Sequence, residues 1–137
     1  MALIAEAEYP NAYQGLDSMS DSLGPEDLKR NVRLCAELGA DIVKANWSGS
    51  PESFKEIVRA CGKPVVLAGG SRIGDLELLT RMHQARNAGA TGCSVGRNVF
   101  EHPSHQAMTA GISRSFRDSW PAHRAYQELQ TALQAKV

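Results

Sequence analysis

Three glycines, Gly39, Gly62 and Gly89, each close a run of helical periodicity and lead directly into a short apolar run. They stand 23 and 27 residues apart. A helix stopped by glycine and followed at once by a strand, repeated at that interval, admits few folds. The economical one is a series of βα units joined by right-handed crossovers into a parallel sheet. The strands so delimited are a short one within residues 39–47, carrying Ile42 and Val43 and ending at Lys44, and those over 64–68 and 92–96, while residues 2–9 read as a first strand ended by Pro10. The run 64–68 carries no charge, as expected of a strand covered on both faces.

The intervening helices announce their starts. Pro25, Glu26 and Asp27 open the first, with Leu28, Val32, Cys35 and Leu38 at helical spacing. Ser50 is the expected N-cap of the second, whose apolar stripe is Phe54, Ile57, Val58 and Cys61. The third spans 75–88, with Leu76, Leu79, Met82 and Ala85 on one side. A single turn over 97–100, a helix from 103 to about 115 and a last one from 121 to about 135 follow. The last carries a thin apolar face of Ala125, Leu129, Ala132 and Leu133, suited to packing on the body or on another subunit. Residues 11–24 form a long polar loop, which reads as a lid or as a plain connection.

A chain of 137 residues suits one domain with a real core, and no linker divides it, so 1–137 is read as a single domain. Its length is about half of the roughly 250 residues of a complete eight-unit barrel. Fifteen basic residues balance fifteen acidic ones without a basic run, so nucleic acid is not an expected partner. Cys35, Cys61 and Cys93 form an odd, widely spaced set without a CxxC, which reads as reduced thiols and a cytoplasmic location. No segment approaches the length of a membrane span, so no membrane partner is expected. His102 and His105 lie three apart around Pro103 but lack a third ligand of suitable spacing. They read as helix-start surface positions, and neither a metal nor a cofactor is expected.

Two features carry chemistry. Lys44 stands where its strand runs out, the end at which parallel α/β folds bind ligands. With apolar walls its ammonium would lose hydration and its amine would be free to attack a carbonyl; the plainer reading is a lysine snorkelling from a strand end. The second feature is a pair of glycine-bearing strand ends, Ala68-Gly69-Gly70-Ser71 and Val95-Gly96-Arg97-Asn98. Bare backbone lets amides approach an anion, the short turn that follows adds its positive end, and Arg97 offers a charged fork. Glycine is equally the ordinary solution to a tight turn. Asn46 shares the parity of Lys44, Trp47 has the opposite one and is expected under the next helix, and Asn98 is expected to cap the short turn.

Taken together and in this order, Gly39-Ala40-Asp41-Ile42-Val43-Lys44, Leu67-Ala68-Gly69-Gly70 and Val95-Gly96-Arg97-Asn98-Val99-Phe100 resemble the archaeal-type class I fructose-bisphosphate aldolase group. That group includes the phospho-autoinducer thiolase. The resemblance runs from about Leu3 to about Thr131. It implies an α/β fold, the C-terminal half of a (β/α)8 TIM barrel: four parallel strands with helices, corresponding to strands five to eight, plus a C-terminal helical extension. It implies a Schiff-base aldolase for a phosphorylated keto compound, with Lys44 as the Schiff-base lysine and Gly69, Gly70, Gly96 and Arg97 around the substrate phosphate. Tyr9, in Glu8-Tyr9-Pro10, matches the general acid/base of the aldolase branch. Glu6 and Glu8 are rival proton carriers, because strand alternation puts them on the face opposite Tyr9. Ser71-Arg72 departs from the proline or lysine pair frequent in relatives. The family's first four strands have no counterpart here, which would leave an inner face uncovered; a homo-oligomer, a complementing half barrel and an inactive remnant that retains phosphate-ligand binding are the three readings open.

Overall fold

The computed structural model describes residues 1–8 and 24–135. Tyr9 and most of the expected loop lie outside the described residues. The elements follow in the order β1 (Ile4–Ala7), α1 (Pro25–Glu37), β2 (Ile42–Ala45), α2 (Pro51–Cys61), β3 (Val65–Ala68), α3 (Asp75–Asn87), β4 (Gly92–Ser94), α4 (Arg97–Phe100), α5 (His105–Arg117) and α6 (Ala122–Gln134). The four strands make one parallel sheet in the order β1-β2-β3-β4. Each crossover runs through a helix, as parallel neighbours require.

The glycine stops act as their spacing suggested. Gly39, Gly62 and Gly89 all take positive φ. At the end of α1 the Gly39 amide donates to the Ala36 carbonyl and the Ala40 amide to the Cys35 carbonyl, so the last turn is satisfied before the chain enters β2. Ser50 caps α2, its hydroxyl accepting from the Ser53 amide.

Period-two alternation then sorts the strands into two faces. Ala7, Val43, Ala45, Val65 and Leu67 point toward the helices and are buried with Leu28 and Val32 of α1 and Phe54 and Ile57 of α2. The other face carries Ile4, Glu6, Lys44, Val66, Ala68 and Ser94, none of them buried. This corrects the expectation for β3, which the described residues cover on one face only; Val66 and Ala68 are half-buried on the open side. An uncharged run tells that a strand avoids charge, not what stands on each side.

Two stripe assignments also change. Leu38 is 76% exposed because it is the C-cap residue, past the last helical position of α1. In α3 the buried leucines are Leu78 and Leu79, while Leu76 is exposed. At 100° per residue Leu76 lies about 120° around the helix from Met82, outside the buried arc. That arc is wide because α3 packs on α2 on one side and on α5 and α6 on the other. Ala125 and Leu129 of α6 are fully covered there, so the last helix packs on the body.

Phe54 is fully buried and stacks on Trp47 with ring centroids 5.3 Å apart, tying α2 to the end of β2. Phe54→Ala is expected to cost about 3–5 kcal/mol of folding stability, read as a lowered urea midpoint with an unchanged slope.

Candidate active site

All four strands end at one rim, and a cavity of about 430 Å³ opens there. From β1 and β2 it receives Glu6, Lys44 and Asn46; from the ends of β3 and β4 it receives Gly69, Gly70, Gly96 and Arg97. The residues singled out for amine chemistry and those singled out for anion binding therefore share one cavity. Tyr9 lies outside the described residues.

Lys44 and Glu6 are register partners in the β1–β2 ladder, which brings their side chains side by side on the open face. The Lys44 Nζ is 2.5 Å from Glu6 Oε1, with the two side chains 24% and 37% exposed. The apolar walls expected around Lys44 are not what the described residues provide. Its cavity neighbours Glu6, Glu8, Asn46 and Ser94 are polar. Asn46 Oδ1 is shielded from solvent and has no hydrogen-bond partner among the described residues. Such a group has an energetic incentive to meet a donor brought in by a ligand. Trp47 packs on Phe54, as parity suggested, and its other side borders a smaller adjoining cavity of about 240 Å³.

The two glycine turns divide their work. Gly69 donates its amide to the Ser94 carbonyl at 3.0 Å, extending the ladder beyond β3. A Cβ at this position would lie 3.0 Å from both Cα and Cγ1 of Val95, so the strand ends can approach this closely only with glycine there. Gly70 has φ +63 and redirects the chain. The Gly69 amide is thereby committed to the ladder, while Gly70 and Gly96 line the cavity beside it. Arg97 begins α4 and its Nη1 reaches Ser71 Oγ at 3.4 Å, which holds the guanidinium across the mouth between both turns.

Asn98 does something other than cap the short turn. It is 3% exposed. Its Nδ2 donates to the Gly69 carbonyl at 3.0 Å and to the Ser71 carbonyl at 2.9 Å, while its Oδ1 accepts from the Ile73 amide at 2.9 Å. One amide thus fastens the whole β3–α3 turn to α4. The sequence signal was an asparagine after Gly-Arg, which reads as a cap because no spacing reveals a partner 25 to 29 residues away. His102 is a second correction: it is buried, not on the surface. Its Nδ1 accepts from the Ser104 amide at 3.0 Å, and its Nε2 faces Asp75 Oδ2 at 3.3 Å, joining the start of α5 to the start of α3. His105 is exposed, and among the described residues no three His, Cys, Asp or Glu side chains converge as a metal ion would need.

The family profile of the DeoC/LacD aldolases matches residues 1–102. The chain is 49% identical over 92 residues to the 2-amino-3,7-dideoxy-D-threo-hept-6-ulosonate synthase of Halobacterium salinarum, a match covering 67% of this chain and 35% of that protein. It is 31% identical over 105 residues to the 3-hydroxy-5-phosphonooxypentane-2,4-dione thiolase of Klebsiella pneumoniae, covering 77% of this chain and 35% of that one. The crystal structure of an archaeal fructose 1,6-bisphosphate aldolase superposes with a TM-score of 0.72 at 28% identity, over 83% of this chain and 44% of that one. A Schiff-base-forming fructose-1,6-bisphosphate aldolase superposes at 0.66 and 26% identity, over 87% and 45%. The chain spans about a third of the length of the curated relatives it matches. Its fold is that of part of a (β/α)8 barrel, with C-terminal helices.

Asn98→Ala strips two part-buried carbonyls and one part-buried amide of their partner, against a cost of about 1–3 kcal/mol for such a group when fully buried and unpaired. The expected result is a lowered urea midpoint together with faster amide hydrogen exchange at Ile73, its protection falling to that of an open loop. The Cys93 thiol gives a pH signature. Burial pushes it from 9.0 up to about 11. Its contribution to stability is therefore complete below about pH 9 and is lost as the pH rises toward 11, where the unfolded chain ionises first. Cys93→Ala is expected to flatten that alkaline decline in urea titrations across the same interval, leaving the smaller part due to Cys61, which burial also raises.

Proposed function

This chain belongs to the DeoC/LacD family of aldolases, and on that footing we propose that it carries the amine and phosphate half of a class I aldolase site. The substrate class is a phosphorylated ketone. The observation that carries this reading is the common cavity of Lys44 and the two glycine turns. The phosphonooxy group in the name of one relative and the bisphosphate in those of the structural neighbours point the same way.

In this reading Lys44 Nζ adds to the ketone carbon and water leaves, giving a protonated imine. The imine withdraws electrons from the adjacent carbon–carbon bond, so cleavage leaves an enamine in place of a free carbanion, and no metal ion is required for that role. Tyr9 takes the proton from the hydroxyl of the departing carbonyl fragment. Gly70, Gly96 and Arg97 hold the phosphate, with Gly69 setting the closeness of the two turns; charge-assisted bonds from a guanidinium and backbone amides suit that group. The domain is the whole of 1–137, and its open sheet face is covered in the working enzyme by the remaining strands of a barrel, from further chain, a complementing half or a second copy. A cytoplasmic location fits a substrate of this kind.

Borohydride reduction in the presence of dihydroxyacetone phosphate tests the reading. The peptide containing Lys44 is expected to gain the mass of the reduced ligand, and Lys44→Arg to abolish the adduct. An unmodified Lys44 in a chain that still binds phosphate esters would instead identify a non-catalytic binding module. Arg97→Ala is expected to weaken the phosphate ester by about 1.5–3 kcal/mol, as for a lost hydrogen bond to a charged group, while leaving a non-phosphorylated ketone unaffected in the same trapping assay.

A further inference from the structure

The reaction proposed above uses Lys44 as nucleophile and Tyr9 for proton transfer at the cleaved bond. It leaves one step without a residue. An ammonium cannot attack a carbonyl, and the carbinolamine that follows cannot lose hydroxide readily at neutral pH; the first step needs a base at Nζ and the second an acid at the oxygen geminal to it. One group stands at the nitrogen around which both steps take place. Glu6 Oε1 lies 2.5 Å from Lys44 Nζ. The contact is fixed by the fold, since Glu6 and Lys44 face each other in the β1–β2 register and project from the same open side. Both line the cavity that holds the glycine turns, so the pair meets whatever ketone enters.

We propose that Glu6 is a catalytic residue of this site, the proton carrier for formation and hydrolysis of the Lys44 imine, separate from the group acting at the carbon–carbon bond. The inference rests on the aldolase reading of the preceding subsection. The steps balance without an outside reagent. Glu6 takes one proton from the Lys44 ammonium, leaving a neutral amine and a carboxylic acid. The nitrogen lone pair forms the N–C bond while the carbonyl π pair moves to oxygen, and a proton passes from nitrogen to that oxygen to give the neutral carbinolamine. Glu6 then returns its proton to the hydroxyl, the C–O bond breaks, water departs, and the nitrogen lone pair closes the C=N bond. Three ammonium hydrogens have become one on the iminium and two in water, and Glu6 is again a carboxylate beside a cation.

Position separates Glu6 from the other charged groups on the cavity. Glu8 stands beyond the last residue of β1, two positions further along, and Arg97 lies at the end of β4, three strands across the sheet. Neither is a register partner of Lys44. A side chain that only packed against the lysine stem would not place its oxygen on the nitrogen.

The test is the rate of borohydride-trapped imine formation at Lys44 with dihydroxyacetone phosphate, in the full chain, across a pH series. Glu6→Gln is expected to slow trapping about 100-fold near neutral pH, with the rate climbing as the pH rises because solvent then removes the proton. Glu6→Asp, which keeps the carboxylate on a shorter stem, is expected to recover part of the rate. A purely structural role would lower the rate equally at every pH and would show in the thermal unfolding of the variant, which is expected to match that of the unsubstituted chain because Glu6 is partly exposed. Equal or faster trapping in Glu6→Gln at neutral pH overturns the proposal and makes the carboxylate a restraint on the ammonium. If the unsubstituted chain forms no Lys44 adduct, the aldolase reading itself fails, and that outcome is told apart because it appears before any substitution is made.

Discussion

A parallel sheet delivers every strand's carboxyl end to the same rim, and the chemistry of this molecule depends on that constraint more than on any single contact. Four strands of three or four residues each would be too short to organise a site on their own. The helices returning between them make the arrangement repeat, and the glycine stops at 39, 62 and 89 set where each return ends. Because side chains alternate, the same short strands fill a core on one side and furnish reactive groups on the other. In β2 the residues alternate as Val43 and Ala45 in the core against Ile42 and Lys44 on the open face.

That division explains why the two halves of the rim are built differently. On β1 and β2 the groups that line the cavity are side chains, Glu6 and Lys44, brought together by ladder register. On β3 and β4 they are backbone groups, and backbone needs bracing from elsewhere. Asn98 provides it by bonding to Gly69, Ser71 and Ile73 at once, and the missing Cβ of Gly69 lets β4 close against β3. Arg97 and Asn98 are neighbours with opposite duties: the first faces the cavity mouth and the second is buried beneath it. His102 adds a tie of the same kind one turn later, between the α5 start and Asp75.

What the sequence made legible follows from what is local. Helix stops, the Ser50 cap, strand positions and the strand-end placement of Lys44 depend on residues within a few positions of one another. They appear in the structure within the usual one or two residues. The misreadings share the opposite property. Leu76 was placed on a single apolar stripe because sequence cannot tell that α3 is gripped from two sides. Asn98 and His102 read as capping or surface residues because the partners that tie them to another element lie 25 to 29 residues away. Glu6 was an acid of undecided face, since alternation gives relative parity but not which parity points to the helices. Only the ladder register, Glu6 against Lys44, resolves that choice.

The spacing of the two half-rims bears on what can bind. Neighbouring strands lie about 4.8 Å apart, so Lys44 on β2 and the turn after β4 are separated by two strand widths, roughly 10 Å. An anion held by amides and a guanidinium stands about 2.9 Å above its donors, and a carbonyl carbon under attack must come within bonding distance of Nζ. On the proposed reading, a ligand bridging the two presents a phosphate to the glycine turns and a ketone to the lysine. The lysine stem adds reach from one side and Arg97 from the other, so in that reading ammonium and carboxylate stand at the ketone and the glycine turns and guanidinium at the phosphate. If that reading holds, the spacing of the strands limits the class of ligand before any individual contact discriminates among its members.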